Sequence, residues 1–423
     1  MENELIHEIK KLAKPYAEEG VREELVKRGS AAKFILIGEA SHGTMEFYRD
    51  RSELTKRLIT GGGIRFVAVE GDWPACYALN RYVKGSPDAA DNVYEALQDF
   101  GRWPTWMWAN GEVAAFAEWL REYNKDKPRE EKVGFYGIDV YSLWESMDEI
   151  LKVLRSRPGV DLEAAKRAFE CFDPFNRDGQ SYGISASLYG EGCGDEVVKL
   201  LAGLQDKWKE AQSMDERERA LNGEMNALAV RNAEAYYRIM IRHDAESWNV
   251  RDRHMVSALE KLTAFYGETA RAVVWEHNTH IGDARATDMA EDGMVNVGQL
   301  LREHHGLDAV YAIGYGTCRG TVTAARSWGE PPEMMTVPEA QVNSWEEMLH
   351  RIGPEDKLFL FGQEEARLLE QTTLGHRAIG VVYHPERERG NYVPTIIPKR
   401  YNAFIYLDTT SALEPMEAHV LLS

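Results

Sequence analysis

The 423-residue chain is 44% hydrophobic and 28% charged, with 50 Lys and Arg against 69 Asp and Glu and a formal net charge of −19. This supports a large core, read as one α/β domain with a helical insertion or as two domains. The acidic balance, without a basic patch, argues against nucleic acid or an anionic membrane as partner, and no apolar run approaches the ~20 residues of a membrane span.

The N-terminus, Met1-Glu2-Asn3-Glu4, is acidic and unlike a signal peptide. Helical periodicity over 5–29 predicts one leading helix, and the apolar run 33–37 a buried strand. Gly38-Glu39-Ala40-Ser41-His42-Gly43 follows, then a helix over about 45–60 ended by Gly61-Gly62-Gly63. Those glycines lie between helix and next strand, the wrong order for a phosphate loop, so capping and a turn account for them. A strand over 65–70 ends in Glu70 and completes a βαβ unit, predicting a parallel pair. Asp72 is placed as the cap of the next helix, with Pro74 in its first turn. Trp103, Trp106, Trp108 and Trp119 read as packing or as an aromatic wall for an apolar substrate. A third strand, 133–139, ends in Asp139. Residues 143–243 are mostly helical, interrupted by a Gly/Ser-rich loop at 176–194, and a helix continues to about 266. A strand over 271–276 runs into His277-Asn278-Thr279-His280, and further strands are predicted at 309–314, 357–361, 378–383 and 403–407. Cys76, Cys171, Cys193 and Cys318 have no metal-ligand spacing and read as reduced thiols of a cytoplasmic protein. Alternating strands and helices define an α/β chain with a largely parallel sheet. Its expected parts are an α/β core over 1–142, a helical insertion or lid over 143–266, and a second part of the core over 267–423.

Four strands thus end in Glu39 and His42, Glu70, Asp139, and His277 with His280, at the sheet edge where ligands bind in open α/β folds. A single acid there means little, but the set predicts a shared site. His42 is the best general base: a helix N-terminus behind it disfavours the imidazolium, and Glu39 or Glu70 orients its other nitrogen. Arg51, two helical turns beyond Thr44, is placed to pair with either glutamate. Ser41 adjoins His42 without the Gly-x-Ser-x-Gly elbow of a serine nucleophile. A divalent metal on His42, His277, His280 and the glutamates is the rival use of the same residues.

Gly38-Glu39-x-x-His42-Gly43, Val69-Glu70, Arg251-Asp252-x-x-Met255, His277-Asn278-x-His280, Tyr383-x-Pro385 and Tyr392-Val393-Pro394 together resemble the erythromycin esterase family, over about residues 30–410. The resemblance implies an α/β core with a helical lid and a deep cleft. It also implies hydrolysis of a macrolactone ester by activated water, with no covalent intermediate and usually no required metal. By position, His42 becomes the base that activates water. Glu39 and Glu70 orient it or the water, His277 and His280 complete the catalytic set, and Arg51 and Arg251 are expected to contact substrate. Many relatives carry the name succinoglycan biosynthesis protein, and antibiotic-resistance esterases acting on macrolides are a minority. The expectation is therefore a carboxylic ester hydrolase acting on a small-molecule ester or lactone, without a cofactor. Its protonated His277, His280 or Arg51 would stabilise the developing oxyanion. The alternatives are a metal-dependent hydrolase at the same site and a small-molecule-binding protein without turnover. The natural substrate and the oligomeric state are not read from the sequence.

Overall fold

The computed structural model describes residues 2–155, 162–189, 192–194, 209, 211–242 and 244–416. Its strands are β1 (Lys14–Pro15), β2 (Phe34–Ile37), β3 (Ile64–Asp72), β4 (Gly134–Asp139), β5 (Arg271–Trp275), β6 (Val310–Ala324), β7 (Glu333–Val337), β8 (Lys357–Leu360), β9 (Leu374–Arg377), β10 (Tyr392–Thr395) and β11 (Ala403–Thr410). Nine form one sheet in the order β1-β8-β11-β6-β2-β5-β3-β4, with β7 on β6, and β9 and β10 pair separately. The run from β11 to β4 is parallel throughout, while β1, β7 and β8 are antiparallel. Both faces of the parallel strands are covered. Ile35, Val67, Val69 and Trp275 pack against Leu54, Leu58, Leu79 and Phe116 on one side. Phe34, Leu36, Phe66 and Val274 pack against Met255, Leu259, Leu262 and Leu301 on the other. Burial on both faces explains why these strands read as continuous apolar runs.

Several sequence expectations change. The leading helix is two, Glu2–Leu12 and Glu19–Gly29, separated by β1. β2 and β3 are not neighbours, because β5 pairs with both and lies between them. Residues 378–383 form only isolated bridges, and the strand of this region is β9. The loop expected over 176–194 contains a helix, Gly179–Tyr189, with residues 190 and 191 outside the described ones. Asp72 stands at the start of helix Trp73–Val83 without a side-chain capping bond.

The helical region after β4 has a small core of its own. Leu143, Ile150, Phe169, Phe172, Tyr182 and Val230 pack together there. The helix Asp244–Tyr266 does not belong to that layer, since Met255, Leu259 and Leu262 lie on the sheet. Cys171 and Cys193 form a disulfide within the insertion, whereas Cys76 and Cys318 are free and buried. The expectation of four reduced thiols is therefore wrong for two of them, and a cytoplasmic location loses the support drawn from it. Among the described residues, no helix is long and apolar enough to cross a membrane.

Candidate active site

β2, β5, β3 and β4 are consecutive in the sheet and parallel, so their carboxyl ends bring Glu39, His42, His277, His280, Glu70 and Asp139 to one edge. The two glycines of the first motif are required by close approach. A Cβ on Gly38 would lie 2.2 Å from Asn278 Oδ1, and one on Gly43 would lie 1.8 Å from the Thr323 carbonyl oxygen. The backbone of this turn is thereby pressed against the ends of β5 and β6. The Asn278 N–H donates to the Glu39 carbonyl at 2.9 Å.

His42 Nδ1 meets Glu39 Oε1 at 2.9 Å, and Nε2 faces Glu70 Oε1 at 3.9 Å. A carboxylate can only accept, so Nδ1 carries the proton and Nε2 is left as the basic nitrogen. Burial opposes the imidazolium, but the Glu70 charge and the bond to Glu39 outweigh it, and His42 titrates above its ordinary value. The shift runs opposite to the one expected from the helix N-terminus: two nearby carboxylates act more strongly than the partial charge of a helix end. Ser41 is tied to the Thr44 hydroxyl and does not line the cavity.

Arg51 lies 2.9 Å from Glu39 Oε2 and is fully buried. None of its guanidinium nitrogens has a hydrogen-bond partner; the group is held over Tyr48 at 4.1 Å and Trp275 at 4.9 Å. It does not line the cavity. The expectation that Arg51 touches substrate fails on burial: it charge-balances and positions Glu39.

Arg251 is the hub of the opposite wall. Its Nε and Nη2 donate to Asp139 at 2.9 and 2.8 Å, Nη2 donates to Glu70 Oε1 at 2.6 Å, and Nη1 reaches His280 Nε2 at 3.0 Å. Arginine has no acceptor, so the last bond requires an unprotonated Nε2. His280 Nδ1 therefore carries the proton and donates to Asp252, at 3.0 Å from each oxygen. Trp248 stacks on the same ring at 4.5 Å. Burial opposes ionised Asp139, but Arg251 holds its carboxyl below the ordinary range. Burial likewise opposes the Glu70 charge; the imidazoles of His280 and His42 when protonated, and Arg251 and the His277 N–H throughout, outweigh it, so Glu70 ionises well below its usual value. Beneath these groups, neither oxygen of buried Glu276 has a hydrogen-bond partner. Burial, then the charges of Glu70 and Asp252, push its pKa well up and favour the neutral acid.

His277 ends β5 and caps the short helix Asn278–Ile281. Its N–H donates to Glu70 Oε2 at 2.7 Å, and its Nδ1 accepts from the Thr279 N–H at 3.3 Å. Burial and the neighbouring His42 hold its imidazole well below the ordinary value. The neutral ring then carries its proton on Nε2, which is buried and directed to the Ala40 carbonyl. The protonated His277 expected from the sequence is replaced by a neutral donor.

These groups open on a cavity of about 690 Å³ lined by His42, Glu70, Arg251, His277, His280 and Trp108, among others. Of the four tryptophans, Trp108 forms wall, donating to the Glu70 carbonyl at 3.1 Å, while Trp119 packs on the core. Trp248 and Arg102 were not singled out by the sequence reading, and Asp252 entered only as part of the Arg251-Asp252-x-x-Met255 motif, without a role. Trp248, Arg251, Asp252 and Met255 fall at helical i, i+3, i+4 and i+7, and that spacing is the signal that finds the first of them. Arg102 binds Asp72, which explains the missing cap.

A parallel α/β sheet under a helical insertion, with an imidazole–carboxylate cluster at its carboxyl edge, defines the class of molecule. The chain belongs to the erythromycin esterase family, whose pattern it matches over residues 59–410. Among solved structures it is similar to a succinoglycan biosynthesis protein (20% identity, 98% of each chain, TM-score 0.78). It is also similar to a Bacillus cereus protein (17% identity, 99% of this chain and 100% of that one, TM-score 0.79). A third is a mutant of erythromycin esterase EreC in its open conformation (16% identity, 95% and 96%, TM-score 0.66). At these identities the likenesses establish the fold.

Proposed function

We propose that this chain hydrolyses a carboxylic ester or lactone with water activated by His42. The observation that carries this reading is the orientation of His42. Glu39 holds Nδ1–H, and the free Nε2 faces Glu70 across 3.9 Å beside the cavity. A water touching both groups loses its proton to Nε2 as its oxygen attacks the carbonyl carbon, and Glu39 stabilises the imidazolium that forms. The carbonyl oxygen becomes an oxyanion, for which the remaining Nη1–H of cavity-lining Arg251 is the donor in this reading. The His42 proton then passes to the leaving alkoxide, which departs as alcohol. Arg251 also fixes Glu70, Asp139 and His280 with its other four N–H groups. His280 acts by fixing Arg251.

The reaction is proposed to run without a metal ion, since the Glu70 and Asp139 oxygens are taken up by Arg251 and backbone N–H groups. A macrolide is one candidate substrate by family membership. The test is mass spectrometry of a 14-membered macrolide and a panel of simpler lactones, incubated with the protein and with His42→Ala, each with and without chelator. A gain of one water is expected, reduced roughly 10²–10⁴-fold in the variant and indifferent to chelator. Full turnover by His42→Ala overturns the mechanism. Loss on chelation, restored by added metal, selects the metal-dependent reading. Saturable binding with ligand recovered intact selects a binding protein.

A further inference from the structure

A second cluster lies outside the cavity, where β6 and β11 pack against the helix Trp345–Arg351. Cys318 in β6 and Asp408 in β11 are level across a parallel pair, between the registered pairs Thr317–Leu407 and Arg319–Thr409. His350, in the helix Trp345–Arg351, completes the group. One ligating atom from each of the three lies within 4.8 Å of the others. None of the three lines the catalytic cavity.

We propose that Cys318, His350 and Asp408 form a zinc-binding site, with water as the fourth ligand. Thiolate, imidazole and carboxylate together are the donor set of a borderline-soft divalent ion, and three protein ligands with one open position is a common zinc arrangement. Asp408 Oδ1 receives His350 Nδ1 at 2.6 Å and the Tyr406 hydroxyl at 2.7 Å, whereas Oδ2 has only the Thr409 hydroxyl at 3.5 Å. One carboxylate oxygen is thus spare. The Cys318 sulfur is in contact with the Tyr406 hydroxyl and the Ala340 N–H, and metal binding itself displaces the thiol proton. The His350 side chain is 34% exposed and opens the buried pair to solvent, so an ion has a path in. On binding, the sulfur–zinc bond forms as the thiol proton leaves to solvent, and neutral His350 moves its proton from Nδ1 to Nε2 through solvent, freeing Nδ1 for the ion. The His350–Asp408 hydrogen bond opens by under about 1 Å to admit the ion at zinc–ligand distances. Such an ion would pin the helix Trp345–Arg351 to the sheet.

The probe is Co²⁺ added to the full chain with Cys171 and Cys193 kept oxidised. One equivalent should produce the sulfur-to-cobalt charge-transfer band of a thiolate site, removed by excess Zn²⁺. The catalytic cluster contains no sulfur, so cobalt there cannot give this band. Cys318→Ser should abolish it, and Cys76→Ser should leave it intact. His350→Ala, at a partly exposed position that does not threaten folding, should weaken cobalt affinity by roughly tenfold or more while lactone turnover stays unchanged. No band in the folded wild-type chain, a band surviving Cys318→Ser, or an affinity unmoved in His350→Ala would each overturn the site.

Discussion

The charge on His42 is set by neighbours that can be removed one at a time. Glu39 and Glu70 lift its pKa above the ordinary value of 6.5, and a general base works only when unprotonated. The acid limb of kcat/KM should therefore lie above pH 6.5. Glu39→Gln takes away one of the groups that raise it, so the limb should move to lower pH while the maximal rate falls. A pH–rate profile checks this; a limb that stays in place or moves upward would mean that His42 is not the titrating base. Arg51 gives a stability prediction at the same point. It is fully buried beside Glu39 with no hydrogen-bond partner for any nitrogen, so Arg51→Met leaves a buried carboxylate without its counter-charge. The expected loss in denaturant unfolding is about 3–5 kcal/mol, partly regained in the double variant with Glu39→Gln. The glutamates and histidines were legible in the sequence because each directly follows an apolar strand. Arg51 was legible as a partner of Glu39. Its burial was not, because the rings that enclose it come from positions as distant as Trp275. The direction of the His42 pKa shift was misread because a helix end is a local feature, whereas Glu70 reaches the ring only through the sheet.

At the scale of elements, local pattern fails where partners arrive from far along the chain. The strands around Glu39 and Glu70 were legible, but β5 enters between them from residues 271–275. That insertion is what brings His277 and His280 to the edge shared by His42 and Glu70, and no periodicity records it. The helix Asp244–Tyr266 was visible in outline; its role as the wall carrying Arg251 and Asp252 depends on packing against the sheet. The insertion's disulfide was missed because a separation of 22 residues, Cys171 to Cys193, has no distinctive signature. Closing a loop of that length is worth about 3 kcal/mol in the chain-entropy picture. It acts on a subdomain with its own small core. Reduction should therefore raise proteolysis and amide exchange over 143–194 selectively, leaving exchange in β2, β3 and β5 unchanged. A uniform rise across the sheet would instead mean that insertion and core unfold as one unit.

At the scale of the whole molecule, the excess of acid over base has a direction. The net charge is −19, and Asp99, Glu145, Asp148 and Glu149 add partly exposed carboxylates to the cavity wall. Lys152 pairs with Glu149, and Arg177 with Asp148, while Asp99 has no basic group within ion-pairing distance among the described residues. Low-dielectric walls bearing one sign of charge focus the field at the mouth of a cleft and raise the encounter rate of oppositely charged ligands. The permanent cations deeper in, Arg102 and Arg251, are already balanced by Asp72 and by Glu70 and Asp139, so they do not offset this field for an approaching molecule. An ester bearing a quaternary ammonium group should therefore have a higher kcat/KM than its neutral isostere at low ionic strength. The advantage should shrink as salt rises from about 0.01 M, where the screening length is about 30 Å, to about 1 M, where it is about 3 Å. An anionic counterpart should show the opposite slope. The kcat values should move little, because the charges at the mouth do not touch the reacting carbonyl. If the ratio of the cationic to the neutral ester is flat across this range, then the rim carboxylates do not act on substrate entry. Discrimination would then have to come from contacts inside the wall formed by Trp108 and Trp248.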